Sequence, residues 1–283
     1  LYGMGDLHLR VMLQRMGERY GVRCKTHVPS IPYKETITRP APGHHRHKKQ
    51  TGGAGQFGEV FLKVEPLPRG KGFEFVDQVK GGAIPNQFIP AVEKGVRGVL
   101  GTGFLAGYPI QDLRVIVYDG KSHPVDSKEV AFVSAGRKAF LDALAKARAI
   151  VLEPIVNVNI VAPEHKMGDI TGELSGHRGH IRGSDAPRPG TVQIPAQAPL
   201  AELEQFPARL KSLTAGHGSY SMEFSHYEAA PPQLQQKLVV SGHGPTERKD
   251  PAGMVRMISR IGGMPAIQLP DQKAFEQMLA GRS

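Results

Sequence analysis

From Val151 onward, the order of predicted elements constrains the fold more than any other feature of the chain. Runs of apolar and β-branched residues predict strands, and segments with helical spacing of apolar residues separate them. The order is strand, helix, strand, strand, helix, strand, over residues 151–161, 163–174, 179–182, 190–198, 200–213 and 219–227. That order is typical of the split βαβ, or ferredoxin-like, sandwich. We therefore expect residues 151–240 to form one α+β domain, which ends in a short helix after Pro231 and Pro232.

A different mixture of elements precedes this domain, over residues 35–150. Two strand patterns, at residues 59–66 and 73–79, flank a short segment of glycine and proline and predict a β-hairpin. A helix, a strand and a second helix follow, over residues 84–100, 111–118 and 128–147. Asp126 or Ser127 is expected to cap the second helix. These elements predict another α+β domain and therefore a multi-domain chain.

The two ends of the chain show fewer sequence patterns that predict helices or strands. Residues 6–20 predict one helix that Gly21 stops, and residues 22–28 predict a strand, which together make part of a domain over 1–34. The first residues have neither a basic segment nor a cleavage site, and they look cut from a longer chain. Residues 241–283 form a tail to which the sequence assigns no role.

Composition favours a soluble protein of a reducing compartment. Apolar residues make up 40% of the chain, and no apolar run reaches the roughly 18 residues of a membrane-spanning helix. Cys24 is the only cysteine, so an intramolecular disulfide cannot form. We expect a cytoplasmic monomer with no membrane partner.

The charge balance favours a polyanionic partner. Lysine and arginine number 36 against 26 acidic residues, and the isoelectric point is about 9.7. Such a surface attracts nucleic acid through electrostatic steering and release of counterions. RNA is the leading candidate, and the alternative is a cation excess that only maintains solubility.

Two glycine-rich segments imitate nucleotide-binding motifs without their context. Gly53 to Gly58 satisfies G-x-G-x-x-G, but a basic run precedes it and a strand pattern follows, whereas a dinucleotide site needs a strand before and a helix after. Gly120-Lys121-Ser122 matches the end of a P-loop, but Val115 stands where its first glycine belongs. A nucleotide-dependent oxidoreductase is therefore a weak rival, and we expect no cofactor in this chain.

The basic run from His44 to Lys49 adjoins the glycine-rich segment, and we interpret both as a mobile loop at a domain entry. His44, His45 and His47 lack the carboxylate or thiolate companions of a metal site, so we expect no metal at this run. A loop that faces solvent or RNA is the preferred interpretation. No serine, cysteine or carboxylate pair has a recognisable catalytic context, so we expect no catalytic residue and no enzyme activity in this chain.

Four segments taken in order resemble the elongation factor G family. They are Gly3 to Leu9, Lys48 to Gly58, Lys80-Gly81-Gly82-Ala83-Ile84-Pro85, and Gly168 to Gly179. Shorter matches are Leu105 to Pro109, Val125 to Ser127, Leu152 to Ile155, Pro199 to Glu202, and Leu210 to Phe224. Each match alone is weak, but their order is specific, and the resemblance covers residues 1–240.

The resemblance implies that residues 1–34 are the end of the family's third domain, 35–150 its fourth and 151–240 its fifth. In such factors the fourth domain is a βαβ domain with a left-handed crossover, similar to a small-subunit ribosomal protein, and it projects into the decoding centre. The GTPase domain, with its GTP and Mg²⁺, would belong to a missing part of the parent protein. By this resemblance we expect the 70S ribosome as partner, through ribosomal RNA, tRNA and mRNA.

The resemblance also implies which residues approach the RNA. One tip loop is Lys80-Gly81-Gly82, and the other is Asp119-Gly120-Lys121-Ser122-His123, in which His123 stands beside the tRNA and mRNA. Glycines allow close approach of the backbone to RNA, lysines add positive charge, and a histidine can donate a hydrogen bond or stack on a base. Ordinary turn geometry is the alternative explanation of these glycines.

Five basic residues are further candidates for ribosomal RNA contacts: Lys48, Lys49, His177, Arg178 and His180. For the last three, a helix C-cap with favourable cations is an equally good explanation. Pro124 stands where common translocases carry an acidic residue, and residues from Gly242 onward have no counterpart in the resemblance, so we expect a paralogue. Translocation of tRNA and mRNA is the expected function; ribosome recycling, ribosome protection and a free-standing RNA-binding protein are the alternatives.

Overall fold

The computed structural model describes residues 6–22, 30–50 and 55–241. The described residues divide into two compact units, one with residues 6–22, 30–31 and 156–224 and the other with residues 32–50, 55–155 and 225–241. Residues 23–28 of the predicted strand, Gly53 and Ala54 of the glycine-rich segment, and the tail from Gly242 lie outside the described residues. Both units mix helices with a sheet, which confirms the α+β, multi-domain class.

The first described element is helix α1, Asp6–Tyr20, where the sequence predicts it. Gly21 follows with φ +65°, and its amide donates to Gly17 O at 3.1 Å. A glycine in this left-handed conformation ends a helix by satisfying its last carbonyl groups.

The larger unit contains a four-stranded sheet in the order β2-β3-β5-β4. Its strands are β2 (Ala41–Lys49), β3 (Gln56–Pro66), β4 (Phe73–Asp77) and β5 (Leu113–Lys121). The predicted hairpin of β3 with β4 is wrong, because β5 lies between them and pairs antiparallel with β3 and parallel with β4. The predicted loop at His44 to Lys49 is also wrong, because this run forms most of β2 and pairs with β3 along its length.

Two helices pack on one face of this sheet. A 3₁₀ turn at Asn86–Phe88 leads into α2 (Ile89–Thr102), and α3 (Glu129–Lys146) follows β5. Strand residues Val60, Leu62 and Val64 are fully buried against Phe132 and Phe140 of α3. The parallel strands β4 and β5 with α2 between them form a βαβ unit, while the handedness of this crossover stays a prediction.

The expected cap of α3 differs from the observed one. Lys128 occupies the N-cap position without a side-chain hydrogen bond, so neither Asp126 nor Ser127 caps the helix. The hydroxyl of Ser127 instead donates to Phe57 O at 3.0 Å, so a tertiary contact takes precedence over the local cap.

A second sheet has six strands. Its central path is β1 (Lys34–Ile37), β6 (Ala149–Pro163), β9 (Thr191–Pro199) and β7 (His180–Ile181), while β10 (Ser219–Ala229) pairs with β6 and β8 (Asp185–Arg188) with β9. The path from β10 through β6 and β9 to β7 has the strand order of a ferredoxin-like sheet, as the sequence predicts. Strand β8 was not predicted, because all four of its residues are exposed and carry no apolar alternation.

Helices α4 (Met167–Gly176) and α5 (Phe206–Leu213) supply Ile170, Leu174, Phe206 and Leu210 to the core of this domain. Both are shorter than predicted, because each predicted helix begins with a 3₁₀ turn, Glu164–Lys166 and Leu200–Leu203 respectively. The last described helix is α6, Pro232–Ser241. None of the helices described is long and apolar enough to cross a membrane.

Candidate nucleic-acid interface

Several strand ends meet at one end of the four-stranded sheet. β2 ends at Lys49 opposite Gln56, the first residue of β3, and β5 ends at Lys121 opposite Glu59. β4 runs parallel to β5, so the loop that follows it starts from this end as well. We call this end of the sheet, with residues 46–50, 55–59, 78–84 and 119–127, the tip. Both predicted tip loops and Lys48 and Lys49 therefore belong to one region of one unit.

The loop after β4 is built on two consecutive glycines. Gly81 and Gly82 have φ of +65° and +69°, which other residues adopt only at a cost. The Ala83 amide donates to Lys80 O at 3.4 Å and closes the turn. A Cβ added at either glycine would meet nothing within 4 Å. The backbone conformation therefore requires the glycines, while the exposed surface of the turn leaves room for a ligand.

The second predicted loop is shorter in the structure than in the sequence prediction. Asp119, Gly120 and Lys121 are the last residues of β5 and pair with β3. Only Ser122 and His123 lie beyond the strand, and both are exposed. The loop assignment of the first three residues is therefore wrong, because pairing with β3 continues past an irregularity that the sequence does not reveal.

Gly120 connects the two predicted tip loops. A Cβ at this position would lie 2.4 Å from Ile84 Cγ1 and 2.4 Å from the backbone oxygen of Glu59, closer than real atoms approach. Ile84 is fully buried and follows the double glycine by two residues. The missing side chain of Gly120 thus lets the loop after β4 pack directly on the end of β5.

His123 is held by the turn that follows it. Its Nδ1 accepts hydrogen bonds from the amides of Val125 and Asp126 at 3.3 and 3.2 Å, and its own amide donates to Ser127 Oγ at 2.8 Å. These two donors require the lone pair of Nδ1, so the neutral ring carries its proton on Nε2. Half of the side chain, 51%, stays exposed. The arrangement presents an oriented N–H donor at the surface.

Three further residues support this turn and were not predicted as site residues. The Ser127 hydroxyl donates to Phe57 O, and the Phe57 amide donates to Asp126 O at 2.9 Å. The guanidinium of Arg46 lies 5.3 Å from the Phe57 ring centroid, and the His123 ring lies 6.3 Å from it. The sequence contains one signal for these residues, the aromatic Phe57 within the glycine-rich segment. It could not indicate their role, because the partners of Phe57 are distant in sequence.

The histidines of β2 point to different partners because a strand alternates its side chains. His44 Nε2 contacts Glu59 Oε1 at 2.9 Å, and His47 Nε2 contacts Gln56 Oε1 at 3.2 Å. Burial lowers the pKa of His45, and the nearby positive charge of Lys138 lowers it further. No group of three potential metal ligands lies together in the part of the chain that the structure describes.

Two of the three predicted basic residues after α4, His177 and Arg178, have carboxylate partners within their own domain. Arg178 contacts Glu202 Oε1 through Nη2 at 2.9 Å, and His177 lies 3.3 Å from Glu173. His180 is exposed at the start of β7. These contacts favour the structural explanation of His177 and Arg178, whereas Lys48 and Lys49 are exposed at the tip.

Comparison with known families matches two models to this chain. One, described as elongation factor G, domain IV, matches residues 29–148, and the other, elongation factor G C-terminus, matches residues 150–238. The first match contains the whole four-stranded sheet and its tip, and the second contains the ferredoxin-like domain.

Individual proteins show the same similarity. The chain is 46% identical to an elongation factor G-like protein of Thermotoga maritima and 46% identical to elongation factor G of Aquifex pyrophilus, over 84% of this chain in both cases. It spans 35% and 34% of those proteins, about a third of their length. A crystal structure of a Thermus thermophilus protein matches 85% of this chain and 36% of its own, with a TM-score of 0.76 and 38% identity.

Proposed function

This chain belongs to the elongation factor G family, and on that basis we propose that it is the ribosome-contacting part of a factor that promotes movement of tRNA and mRNA. The observation that carries the proposal is the tip, where two exposed loops are joined through Gly120 and Ile84 and present His123 and several lysines. This role would place the protein in the cytoplasm, with the 70S ribosome as its partner.

The tip suits contact with an RNA backbone in three ways. Lys80, Lys121 and Lys48 are exposed and supply the positive charge that attracts phosphates. The turn at Gly81 and Gly82 has no side chains, so a ribose or phosphate can approach its backbone closely. These contacts are independent of base sequence, as a factor that acts on every codon requires.

His123 adds a directed contact to this charge. Because Nδ1 is engaged with the turn, Nε2–H is the donor available to a phosphate, a ribose hydroxyl or a base edge. Ser127 fixes the backbone on both sides of the ring, since its hydroxyl bridges the His123 amide and Phe57 O. A donor that is fixed before binding loses less conformational entropy when it meets RNA.

The proposed mechanism is steric and electrostatic. In a longer parent protein, GTP hydrolysis with Mg²⁺ would move this part of the factor, and the tip would occupy the space that a tRNA and its codon leave. Backward movement of the RNA would then be blocked by a rigid turn and by charge contacts. No covalent step involves residues of this chain.

Sedimentation of the 283-residue chain with 70S ribosomes, over a series of salt concentrations, tests the proposal. Two variants separate the features of the tip. His123→Asn keeps a side-chain oxygen that can accept the amide of residue 125 but lacks the Nε2–H donor. Lys121→Ala removes one charge and is expected to lower the slope of log affinity against log salt by about 1. Both should weaken binding.

Lys71→Ala is the matched control, because Lys71 is also exposed but lies between β3 and β4 at the opposite end of the sheet. The Lys71 variant should bind like the unchanged chain. Equal binding of all four proteins would contradict the proposal. A parent protein that separates ribosomal subunits but does not move mRNA in a toeprinting assay would instead favour ribosome recycling.

A further inference from the structure

The outer edge of strand β2 is a surface that the proposed function does not use. β2 is the first strand of the four-stranded sheet, and among the strands that the structure describes only β3 pairs with it. This pairing keeps one register from Ala41 to Lys49, so the other side of β2 is a regular row of backbone groups. We call this side the free edge. An edge of this kind can accept a further strand from another chain.

Two observations show which residues of β2 turn their backbone groups towards the free edge. The amide of His44 donates to Asp142 Oδ2 of α3 at 3.1 Å, so it faces away from β3. Amides of an antiparallel strand alternate between its two sides, so those of Arg46 and Lys48 face the same way as that of His44. Pro42, which has no amide hydrogen, occupies the remaining position of this set, as prolines in edge strands do.

Positive side chains line both sides of the free edge. The side chain of Arg46 is 57% exposed, and Lys48 and Lys49 are exposed as well. Strand alternation places Arg46 and Lys48 on the face opposite the helices and Lys49 on the helix side. Lys138 is exposed on α3. Burial lowers the pKa of His45 and the charge of Lys138 lowers it further, which indicates that Lys138 lies beside the same strand.

Two carboxylates contact β2, and both already have basic partners. Asp142 accepts a hydrogen bond from Lys146 Nζ at 2.6 Å in addition to the one from the His44 amide. Glu59 lies 2.9 Å from His44 Nε2 and 4.0 Å from Arg46 Nε. The lysines along the free edge are therefore in excess over these acids, and the edge attracts a negatively charged partner.

We propose that the free edge of β2 binds an acidic, extended peptide segment of another protein, which adds to the sheet as a further strand. The backbone of Arg46 and Lys48 pairs with the backbone of the segment. Carboxylates on one face of the segment lie beside the same two side chains, and those on its other face lie beside Lys49 and Lys138. This site uses the backbone of one strand rather than the tip loops, so it is independent of the proposed function.

Other occupants fit the free edge less well. Antiparallel pairing of two copies of β2 would place Arg46 opposite Arg46 or Lys48, and like charges directly opposite each other destabilise a sheet. Lysine and proline on edge strands commonly protect against such self-association. An RNA backbone would match the positive charge, but phosphate oxygens cannot donate hydrogen bonds to the carbonyl groups of the edge. An acidic strand satisfies both the charge and the backbone groups.

Fluorescence anisotropy of the 283-residue chain with a labelled heptapeptide that alternates glutamate and threonine tests the proposal. The acidic peptide should bind more tightly than a peptide with lysine in place of glutamate, and more tightly than an acidic peptide with every amide N-methylated. Equal binding of the acidic and N-methylated peptides would overturn the proposal, because charge alone would then explain the affinity.

Variants of the chain separate the backbone contact from the charge. Arg46→Pro removes the outward amide and the side-chain charge, whereas Arg46→Ala removes the charge alone. Affinity for the acidic peptide should fall about fivefold further in the proline variant, because one strand hydrogen bond is lost. Lys138→Gln should weaken binding about twofold at low salt. Lys71→Gln is the matched control and should bind like the unchanged chain, because Lys71 is exposed at the opposite end of the sheet.

Amide hydrogen exchange of the unchanged chain gives a measurement that does not depend on a variant. The acidic peptide should slow exchange at Arg46 and Lys48, and it should affect His45 and His47 less, because their amides face β3. Unchanged exchange at Arg46 and Lys48 with the peptide in excess would overturn the proposal. Slower exchange at these two amides with a decamer of uridine but not with the peptide would also overturn it and would identify an RNA site. None of these results depends on ribosome binding, so failure of the free edge and failure of the proposed function are distinguishable.

Discussion

Gly120 and Ile84 are in direct contact, since a Cβ on Gly120 would stand 2.4 Å from Ile84 Cγ1. Ile84 belongs to the loop after β4, and Gly120 belongs to the end of β5. The two segments of the tip can pack directly on each other because Gly120 has no side chain. Both the stability of the unit and the geometry of the tip depend on this contact.

Gly120→Ala is expected to destabilise the chain by about 1–3 kcal/mol, because an added methyl group overpacks a well-filled contact. The neighbouring backbone oxygen of Glu59 lies equally close, so a shift of Ile84 alone cannot make room. Urea unfolding followed by circular dichroism measures the change. An unfolding midpoint equal to that of the original chain would show that the loop moves away without cost.

The crossing of α2 and α3 offers a matched pair of glycines on one helix. A Cβ at Gly95 would lie 2.2 Å from the backbone oxygen of Val133, whereas one at Gly98 would meet nothing within 4 Å. Gly95→Ala should therefore push the helices apart and cost about 1–3 kcal/mol. Gly98→Ala should stabilise the chain by about 0.5–1 kcal/mol, since alanine favours an exposed helical position.

Thermal or urea unfolding of both alanine variants measures this difference directly. The two changes share residue type, helix and solvent conditions, so helix propensity cancels between them. Destabilisation by both variants, or by neither, would contradict the close helix crossing.

Glu35 is fully buried, and its carboxylate accepts four backbone hydrogen bonds from one loop. The donors are the amides of Phe104, Leu105, Ala106 and Tyr108, at 2.7, 2.8, 2.8 and 3.0 Å. In Glu35→Gln an amide nitrogen replaces one acceptor oxygen, and each N–H left without an acceptor costs about 1–3 kcal/mol.

The free energy of unfolding of Glu35→Gln, compared with Glu129→Gln, measures this effect. The side chain of Glu129 is 65% exposed in a surface ion pair with Lys94, so its change should stay within about 0.5 kcal/mol. Proteolysis of the 104–108 loop should increase in the Glu35 variant alone. Similar stability of the two variants would mean that water replaces the lost acceptor.

His45 makes stability depend on pH in a defined direction. Burial lowers the pKa of His45 in the folded chain, and Lys138, His47 and His44 lower it further. The unfolded chain therefore binds a proton more readily than the folded one. Neutral His45 therefore contributes to the free energy of unfolding above about pH 6.5, the ordinary pKa of histidine. This contribution is lost as the pH falls below that value.

The measurement is the NMR titration of the His45 ring together with unfolding at pH 7.5 and 5.5. His45→Gln should flatten the loss of stability between these values, and Lys138→Gln should move the pKa of His45 back towards its ordinary value. A titration midpoint of His45 at or above about 6.5 would contradict burial and neighbouring positive charge as the controlling influences on this ring.

Much of the element pattern could be predicted from local sequence, and the errors share one cause. The helix from Asp6 and the ferredoxin-like order after Val151 follow from apolar periodicity and from glycine and proline positions, which are local signals. The hairpin of β3 and β4 fails because β5, which follows β4 in the chain only after α2, takes the place between them. The basic run looks like a loop because its polar residues conceal a strand that has one exposed face.

The candidate site was predictable in part. The resemblance to a family indicated the two tip loops and His123, and the structure brings these segments to one end of one sheet. Their contacts with RNA stay a prediction. Phe57, Ser127 and Arg46 were missed, because their roles depend on hydrogen bonds and ring contacts between segments that are up to 70 residues apart.

By itself, the sequence determined the α+β class, the positions of most elements, the basic charge and the family. These properties depend on residue type and on spacing within about a dozen residues, which a single chain displays directly. Tertiary structure alone decided which strands pair, which glycines serve as close contacts, and which nitrogen of His123 faces the solvent. Those outcomes depend on distances between segments remote in the chain, and packing of the whole unit sets such distances.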